Sequence, residues 1–440
     1  MQHEYISFDL KEHITSKLLK TPKETELDII NLFPSIKKHE VSGFGTALTS
    51  ASGFVLNQMN SEDAEGVIKE YFSSDGMGFE YVRVSIDSCD FSPYMYEAAS
   101  SEDYAIKGNY SYENDEKFIF PWLKKLSKYN PSYKILFSPW SPPAFMKSNE
   151  ERKHGGKLRK KYYSLWAEYV ASYISEYKKR GFNVWGLTLQ NEPHAVQIWD
   201  SCIYSAKDEM DYLSFLVEAL DKKGLSDIKI YLWDHNKERL IDRSAVYNSN
   251  KAIDRAYGYA VHGYCGDHFD ALSLMRSIAP DKDILLSEFC MPIKSRGNLK
   301  DQLKVYGHEY LGDMRYGTSG IIDWNLILDE KGGPNHVENF CLAPVIWDSK
   351  ENRTEYNICF SVLKAMSKAF KPGDRIIAST SFDSSIDYAA AVDEEGTVKI
   401  VIANPKGSRR VNLRVNGKVF GLRLDKDTIN TIILEEKDYE

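Results

Sequence analysis

Between residues 41 and 371, short apolar runs alternate with longer stretches whose apolar residues recur at helical spacing. Eight runs read as strands: VSGFG (41–45), FEYVRVSI (79–86), YKILFSP (133–139), VWGLTLQ (184–190), IKIYLWD (228–234), GYAVHGY (258–264), DILLSEF (283–289) and SGIIDWN (319–325). Each is too short for a helix and is bounded by polar or turn-forming residues. The stretch 162–180, by contrast, spaces Leu165, Tyr169, Ala171 and Ile174 as one face of a helix. Strands that alternate with helices predict an α/β architecture with a parallel sheet, and eight such units predict a TIM barrel.

After residue 371 the texture changes. RIIASTSF, IDYAAAVD, TVKIVIAN, RVNLRVNGK, VFGLRL and TIILEE are short and β-rich, separated by turn signals such as Asp393-Glu394-Glu395-Gly396 and Asn416-Gly417. They predict a small antiparallel β-sandwich domain over 372–440 beside a barrel over 41–371. Residues 1–40 carry YISFDL and TELDIINL with no partners of their own. They are expected to add strands to the C-terminal sheet.

Composition narrows the partners. A chain of 440 residues with 42% hydrophobic content can bury a large core and a smaller second one. The net charge of -8 arises from 56 basic and 64 acidic residues of mixed order, which argues against nucleic acid or an anionic membrane as partner. No apolar run is long enough to span a bilayer. The opening MQHEYISFDLKEHITSK has no apolar signal core, so the expected location is cytoplasmic. Six cysteines lie far apart without zinc-site spacing; free thiols are expected, Cys89, Cys265 and Cys290 as small buried residues, and no metal or cofactor. The 28 tyrosines and 8 tryptophans suit sugar stacking and ordinary cores equally.

In a TIM barrel the chemistry sits where the strands end. Those ends carry Asp87-Ser88-Cys89-Asp90, Ser138-Pro139-Trp140, Asn191-Glu192-Pro193, His262 with Tyr264, Glu288, and Asp323-Trp324-Asn325. Glu192 after strand four and Glu288 after strand seven come from nearly opposite sides of the ring. Two carboxylates across a cleft are what glycosidic cleavage needs, one to protonate the leaving oxygen and one to attack or to activate water. Gly43-Phe44-Gly45 lacks the further glycines and lysine of a phosphate loop and reads as a tight barrel turn.

The stretches GFGTALTSASG, VRVSIDSCDFS, SPWSPPAFMK, TLQNEP, AVHGY, LLSEFC and DWNLILDEKGGPNHVENF resemble glycoside hydrolase family 30, in its glucosylceramidase-like, bacterial form. The resemblance implies a retaining hydrolase with Glu192 as acid/base and Glu288 as nucleophile. It also implies Asp90 and Trp140 gripping the nonreducing sugar, Asn191 on the sugar 2-OH, Trp324 as an apolar wall, and Asn339 in support. A β-glucoside or oligosaccharide is the expected substrate. Family members with endo-β-1,6-glucanase or β-xylosidase activity remain alternatives, as does a noncatalytic carbohydrate-binding protein. The loop from His194 to Tyr204, which departs from the glucocerebrosidase pattern, flanks the leaving-group side.

Three further expectations come from physical chemistry. Repulsion from an ionised Glu288 would raise the pKa of Glu192, as a proton donor needs. Arg83 would hold Glu288 ionised, or else pair with Asp87. Tyr264 would hydrogen-bond the nucleophile, with His262 supporting it from the same strand.

Overall fold

The computed structural model describes residues 4–10, 14–20 and 28–440. All eight expected runs form parallel strands of one closed barrel: Gly43–Ala47, Tyr81–Ile86, Lys134–Pro139, Val184–Thr188, Lys229–Asn236, Ala256–His262, Asp283–Glu288 and Gly320–Asp323. Closure comes from the eighth strand pairing back on the first, Gly320 opposite Gly43 through Asp323 opposite Thr46. Gly43-Phe44-Gly45 is therefore strand and not a turn.

The glycine is there because of what fills the barrel. Tyr81, Leu136, Tyr231, Ala260, Leu285 and Ile322 form a buried plug, with Trp185 packed against it. A Cβ at Gly45 would lie 2.4 Å from the Tyr81 carbonyl oxygen and 2.5 Å from its Cβ. Only a residue without a side chain lets the first strand lie this close to the second.

The helix expected over 162–180 spans Tyr163–Lys179. Its buried stripe runs through Trp166, Tyr169, Tyr173 and Tyr177, leaving Leu165 half-buried. Much of the tyrosine content is thus core, each ring offering large apolar area and a hydroxyl: the Tyr169 hydroxyl donates to Asp87 at 2.8 Å, and that of Tyr173 to Asp115.

Nine strands make the second sheet, in the order Ile14–Leu18, Glu4–Asp9, Thr428–Leu434, Val398–Asn404, Asp387–Val392, Arg375–Ser381, Ile29–Glu40, Arg409–Val415 and Lys418–Leu424. It is antiparallel apart from Ile29–Glu40 beside Arg409–Val415. The N-terminal strands join the C-terminal ones as expected, although Glu4–Asp9 does have a local partner, pairing with Ile14–Leu18 on one side and Thr428–Leu434 on the other; residues 25–27 of TELDIINL lie outside the described residues. One face packs on the barrel helices Leu299–Tyr316 and Ile358–Ala369, so Ile376, Ala389, Val401 and Ile429 belong to the barrel's core cluster. Ile30, Leu32, Ile400, Leu413 and Ile432 form a separate core. Among the described residues no helix is long and apolar enough to cross a membrane.

Replacing Gly45 by Ala should destabilise the fold by about 1–3 kcal/mol through overpacking, read as a lowered thermal midpoint. Gly66→Ala is the control. Its added Cβ meets nothing within 4 Å inside helix Ser61–Phe72, so it should leave the midpoint unchanged or slightly raised.

Candidate active site

At the C-terminal rim the strands leave regular geometry. Positive φ angles occur at Asp87 (60°), Glu192 (44°) and Asn325 (68°) beyond strand ends, and at Trp233 (73°) and Asp234 (50°) inside the last half of strand five. Each such conformation costs about 1–3 kcal/mol for a residue other than glycine. Backbone hydrogen bonds hold the turn after strand four: the Asn191 N–H donates to Pro139 O at 2.8 Å and that of Glu192 to Asp234 O at 2.9 Å. Glu192 is thereby tied to strands three and five. The ladder between strands five and six slips between Trp233 and His235, and that between six and seven between Leu286 and Glu288.

These irregularities converge on the buried guanidinium of Arg83. It donates to Glu288 Oε2 at 2.5 Å, to Asp234 Oδ2 and Asn191 Oδ1 at 2.9 Å each, and to Ser138 Oγ at 2.9 Å. Its plane lies 4.9 Å from the centre of the Trp140 ring and 5.3 Å from that of Trp324, within cation–π range. Asp87, the other partner considered, pairs instead with Arg152 at 3.4 Å and with Tyr169.

Glu288 has its second oxygen occupied as well, by the Tyr264 hydroxyl at 2.9 Å. Glu192 faces two imidazoles: His262 Nδ1 is 3.3 Å from its Oε1 and His235 Nε2 is 3.9 Å away. The other ring nitrogen of His262 is 3.1 Å from Asp234 Oδ1, which also accepts from Ser287 at 2.6 Å. Oxygens of Glu192 and Glu288 and a nitrogen of His262 all lie within 4.8 Å of one another. Three such donors could surround a metal ion, but the Arg83 guanidinium already supplies the cation beside Glu288.

The electrostatics reverse one expectation. Burial pushes the Glu192 carboxyl up, but the hydrogen bond from His262 and that imidazole's charge outweigh it and hold Glu192 below its ordinary value. For His262, burial pushes down while the Glu288 charge and hydrogen bonds to Asp234 and Glu192 raise it to about 9. Asp234 is pushed up by burial yet held well below the carboxylate range by Arg83 and His262. The proton shared among these groups therefore rests on His262, between Glu192 and Asp234. Burial lowers His235 to about 4, so it is neutral.

A cleft of 360 Å³ opens above these groups, lined by Asp90, Trp140, Asn191, Glu192, Tyr264, Glu288, Trp324 and Asn339. Arg83 and His262 lie beneath its floor. Trp140 and Trp324 stack, centroids 5.3 Å apart at 23°. Asp90 accepts from Asn339 at 3.1 Å, and burial together with the Glu288 charge raises it to about 8. Asp323 turns away and accepts from Tyr310 behind the barrel. Cys290 and Cys341 also line the cleft; Cys89 is buried, but Cys265 is exposed, contrary to expectation.

Sequence reasoning missed Asp234, His235 and Asn236, three consecutive residues at the end of strand five. The available signal was the same one used for the other strands, a polar cluster ending an apolar run. The loop after Glu192 sends Gln197 and Trp199 into the cleft. Arg152 anchors it, with Nε 2.6 Å from Asp200 Oδ1.

Comparison with known proteins agrees with this fold. The model for the glycosyl hydrolase family 30 TIM-barrel domain matches residues 41–369. The crystal structure of SrfJ from Salmonella typhimurium superposes with a TM-score of 0.95 at 32% identity, covering 99% of this chain and 100% of that one. Mouse (Mus musculus) lysosomal acid glucosylceramidase is 27% identical over 89% of this chain and 80% of its own length. Endo-1,6-beta-D-glucanase of Neurospora crassa is 24% identical over 88% and 82%. A full-length match at this level, together with the domain match across the barrel, means that the chain belongs to glycosyl hydrolase family 30 and is a glycosidase.

Proposed function

We propose that this glycosidase is a retaining β-glucosidase of glucosylceramidase type, with Glu288 as nucleophile and Glu192 as acid/base. The observation that carries the reading is the close approach of the two carboxylates, with oxygens within 4.8 Å. A double displacement uses carboxyls about 5–5.5 Å apart, whereas inversion needs about 6.5–9.5 Å to seat a water.

Each group then has a role. Arg83 and Tyr264 keep Glu288 ionised and aimed, so that one oxygen attacks the anomeric carbon as the glycosidic bond breaks. Glu192 gives the leaving oxygen a proton drawn from its pair with His262, whose remaining N–H stays on Asp234. Once Glu288 is a neutral ester, Glu192 is left as the carboxylate that takes a proton from water. Asn191, fixed by Arg83, presents its amide to the sugar 2-OH, a contact that tightens as the oxocarbenium-like transition state forms. Asp90, Trp140 and Trp324 complete the sugar pocket. Val196 and Ile198, 61% and 58% exposed on the leaving-group loop, suit an apolar aglycone. The likeness to the Neurospora glucanase supports β-1,6-glucan as the second reading.

A panel of aryl β-glycosides tests the substrate, with glucoside expected to be turned over fastest. NMR of the first product should show β-glucose, and an α first product would sink the retaining mechanism. Reducing-end analysis of a β-1,6-glucan digest distinguishes endo cleavage from release of single glucose units. Glu288→Gln should abolish turnover. Glu192→Gln should slow hydrolysis of poorly activated glucosides by about 10²–10⁴-fold, with a much smaller loss for bond cleavage in a dinitrophenyl glucoside, whose leaving group departs unprotonated.

His262 makes a prediction for stability. It binds its proton more tightly in the folded chain, near pH 9, than a free histidine does near about 6.5. Its contribution, on the order of 3 kcal/mol, is full below the lower value and lost as the pH rises through the higher one. The thermal midpoint of the parent should fall between these values, and His262→Gln should flatten that fall. Equal slopes for the two proteins would refute the charged assignment.

A further inference from the structure

At the opposite end of the barrel from the two glutamates, a recess of 670 Å³ opens between the barrel floor and the strand arriving from the second sheet. Five cations line it. Lys37 and Lys38 end the strand Ile29–Glu40, Arg276 comes from the helix Phe269–Ile278, Lys282 precedes barrel strand seven, and Arg375 begins Arg375–Ser381.

The acids beside them are too few and too far to neutralise them. Arg276 is 3.6 Å from Asp283, Lys282 is 3.8 Å from Asp281, and Arg375 is 3.9 Å from Glu40. Charge-assisted hydrogen bonds are shorter, about 2.7–2.9 Å. Asp283 is moreover engaged by the Tyr231 hydroxyl at 2.6 Å. Among the described residues Lys37 and Lys38 form no ion pair, and the donors Arg276 Nη2 and Arg375 Nε have no acceptor. Backbone carbonyls hold some of these cations in place, Arg276 on Gly317 O at 2.7 Å and Lys282 O at 3.0 Å, Lys282 on Ala256 O at 2.8 Å and Ile253 O at 3.1 Å, and Arg375 on Lys38 O, but a carbonyl carries no net charge and leaves theirs uncompensated. His39, among them, is driven down to about 3 by burial and by the charges of Arg276 and Lys38, which marks the local potential as positive in a chain of net charge -8. Tyr257 and Tyr316, 39% and 37% exposed, add two aromatic rings to the same wall.

We infer that this recess is a binding site for a phosphorylated sugar, the phosphate seated among Lys37, Lys38, Arg276 and Arg375 and the sugar ring against a tyrosine. A phosphate would supply acceptors for Arg276 Nη2 and Arg375 Nε, the guanidinium donors left over once the carbonyls of Gly317, Lys282 and Lys38 have taken the others. A ring with one apolar face suits the tyrosines. The volume is ample for a hexose phosphate. Nothing in this site overlaps the cleft, so its occupancy is independent of the hydrolytic assignment.

The test is calorimetric titration at constant ionic strength with glucose 6-phosphate, inorganic phosphate and glucose, on the parent protein and on Lys37→Glu/Lys38→Glu. Both lysines are exposed, so the variant keeps its fold; its thermal midpoint and aryl-glucoside hydrolysis should match the parent. Glucose 6-phosphate should bind saturably at one site, inorganic phosphate more weakly, and any glucose binding should be confined to the cleft, abolished by an aryl glucoside and unchanged in the variant. Charge reversal should weaken glucose 6-phosphate at least tenfold, and Arg375→Gln should weaken it in the same direction. Absence of saturable binding, equal binding to parent and variants, equal affinity for phosphate alone, or competitive displacement of the aryl glucoside would each overturn the assignment.

Discussion

The structure of the active end depends on one buried charge. Arg83 sits inside the barrel mouth with no exposed side-chain surface, and a guanidinium out of water is tolerated only when its donors are matched. Four barrel strands or the turns that follow them supply the match: Ser138 from the third, Asn191 after the fourth, Asp234 from the fifth and Glu288 from the seventh. Removing any one leaves part of a charge unpaired, so the position of Glu288 and the integrity of the barrel mouth are the same problem.

Around that centre the charges alternate. Arg83 and protonated His262 are separated by Asp234 and face Glu288 and Glu192 respectively, so no two like charges touch without an opposite one between them. This order explains why Glu192 is not raised by its neighbouring carboxylate. Like-charge repulsion across the cleft acts at a greater distance than the direct hydrogen bond from His262. The bulges and positive φ angles at strand ends belong to the same arrangement, because a regular ladder would alternate side chains in and out. At Trp233 and Asp234 the ladder breaks, and Asp234 meets both Arg83 and His262.

The two ends of the barrel use polar groups in different ways. At the C-terminal rim every charged side chain near Arg83 has a close partner, and the cleft above is walled by stacked indoles. The floor holds cations whose acidic partners are loose, over a larger recess. Between them lies the plug around Tyr81, apolar and closely packed, which excludes water from the barrel axis.

Much was legible before any folding was considered. Apolar runs of strand length with polar ends are local properties, and they located the barrel strands, the six C-terminal strands and the strand-end residues Glu192, Glu288, Asp90 and Trp140. Asp234, His235 and Asn236 were missed because strand five carries no motif, and the bulge that turns Asp234 inward is not a feature of periodicity. Pairing is a relation between distant strands, so whether Arg83 meets Asp87 or Asp234 could be decided only once the ring had closed. The same holds for protonation. The sequence by itself determined that two carboxylates would share one rim, whereas tertiary structure decided which group holds the proton, because that depends on distances of a few ångströms between imidazole and carboxylate that no local pattern encodes.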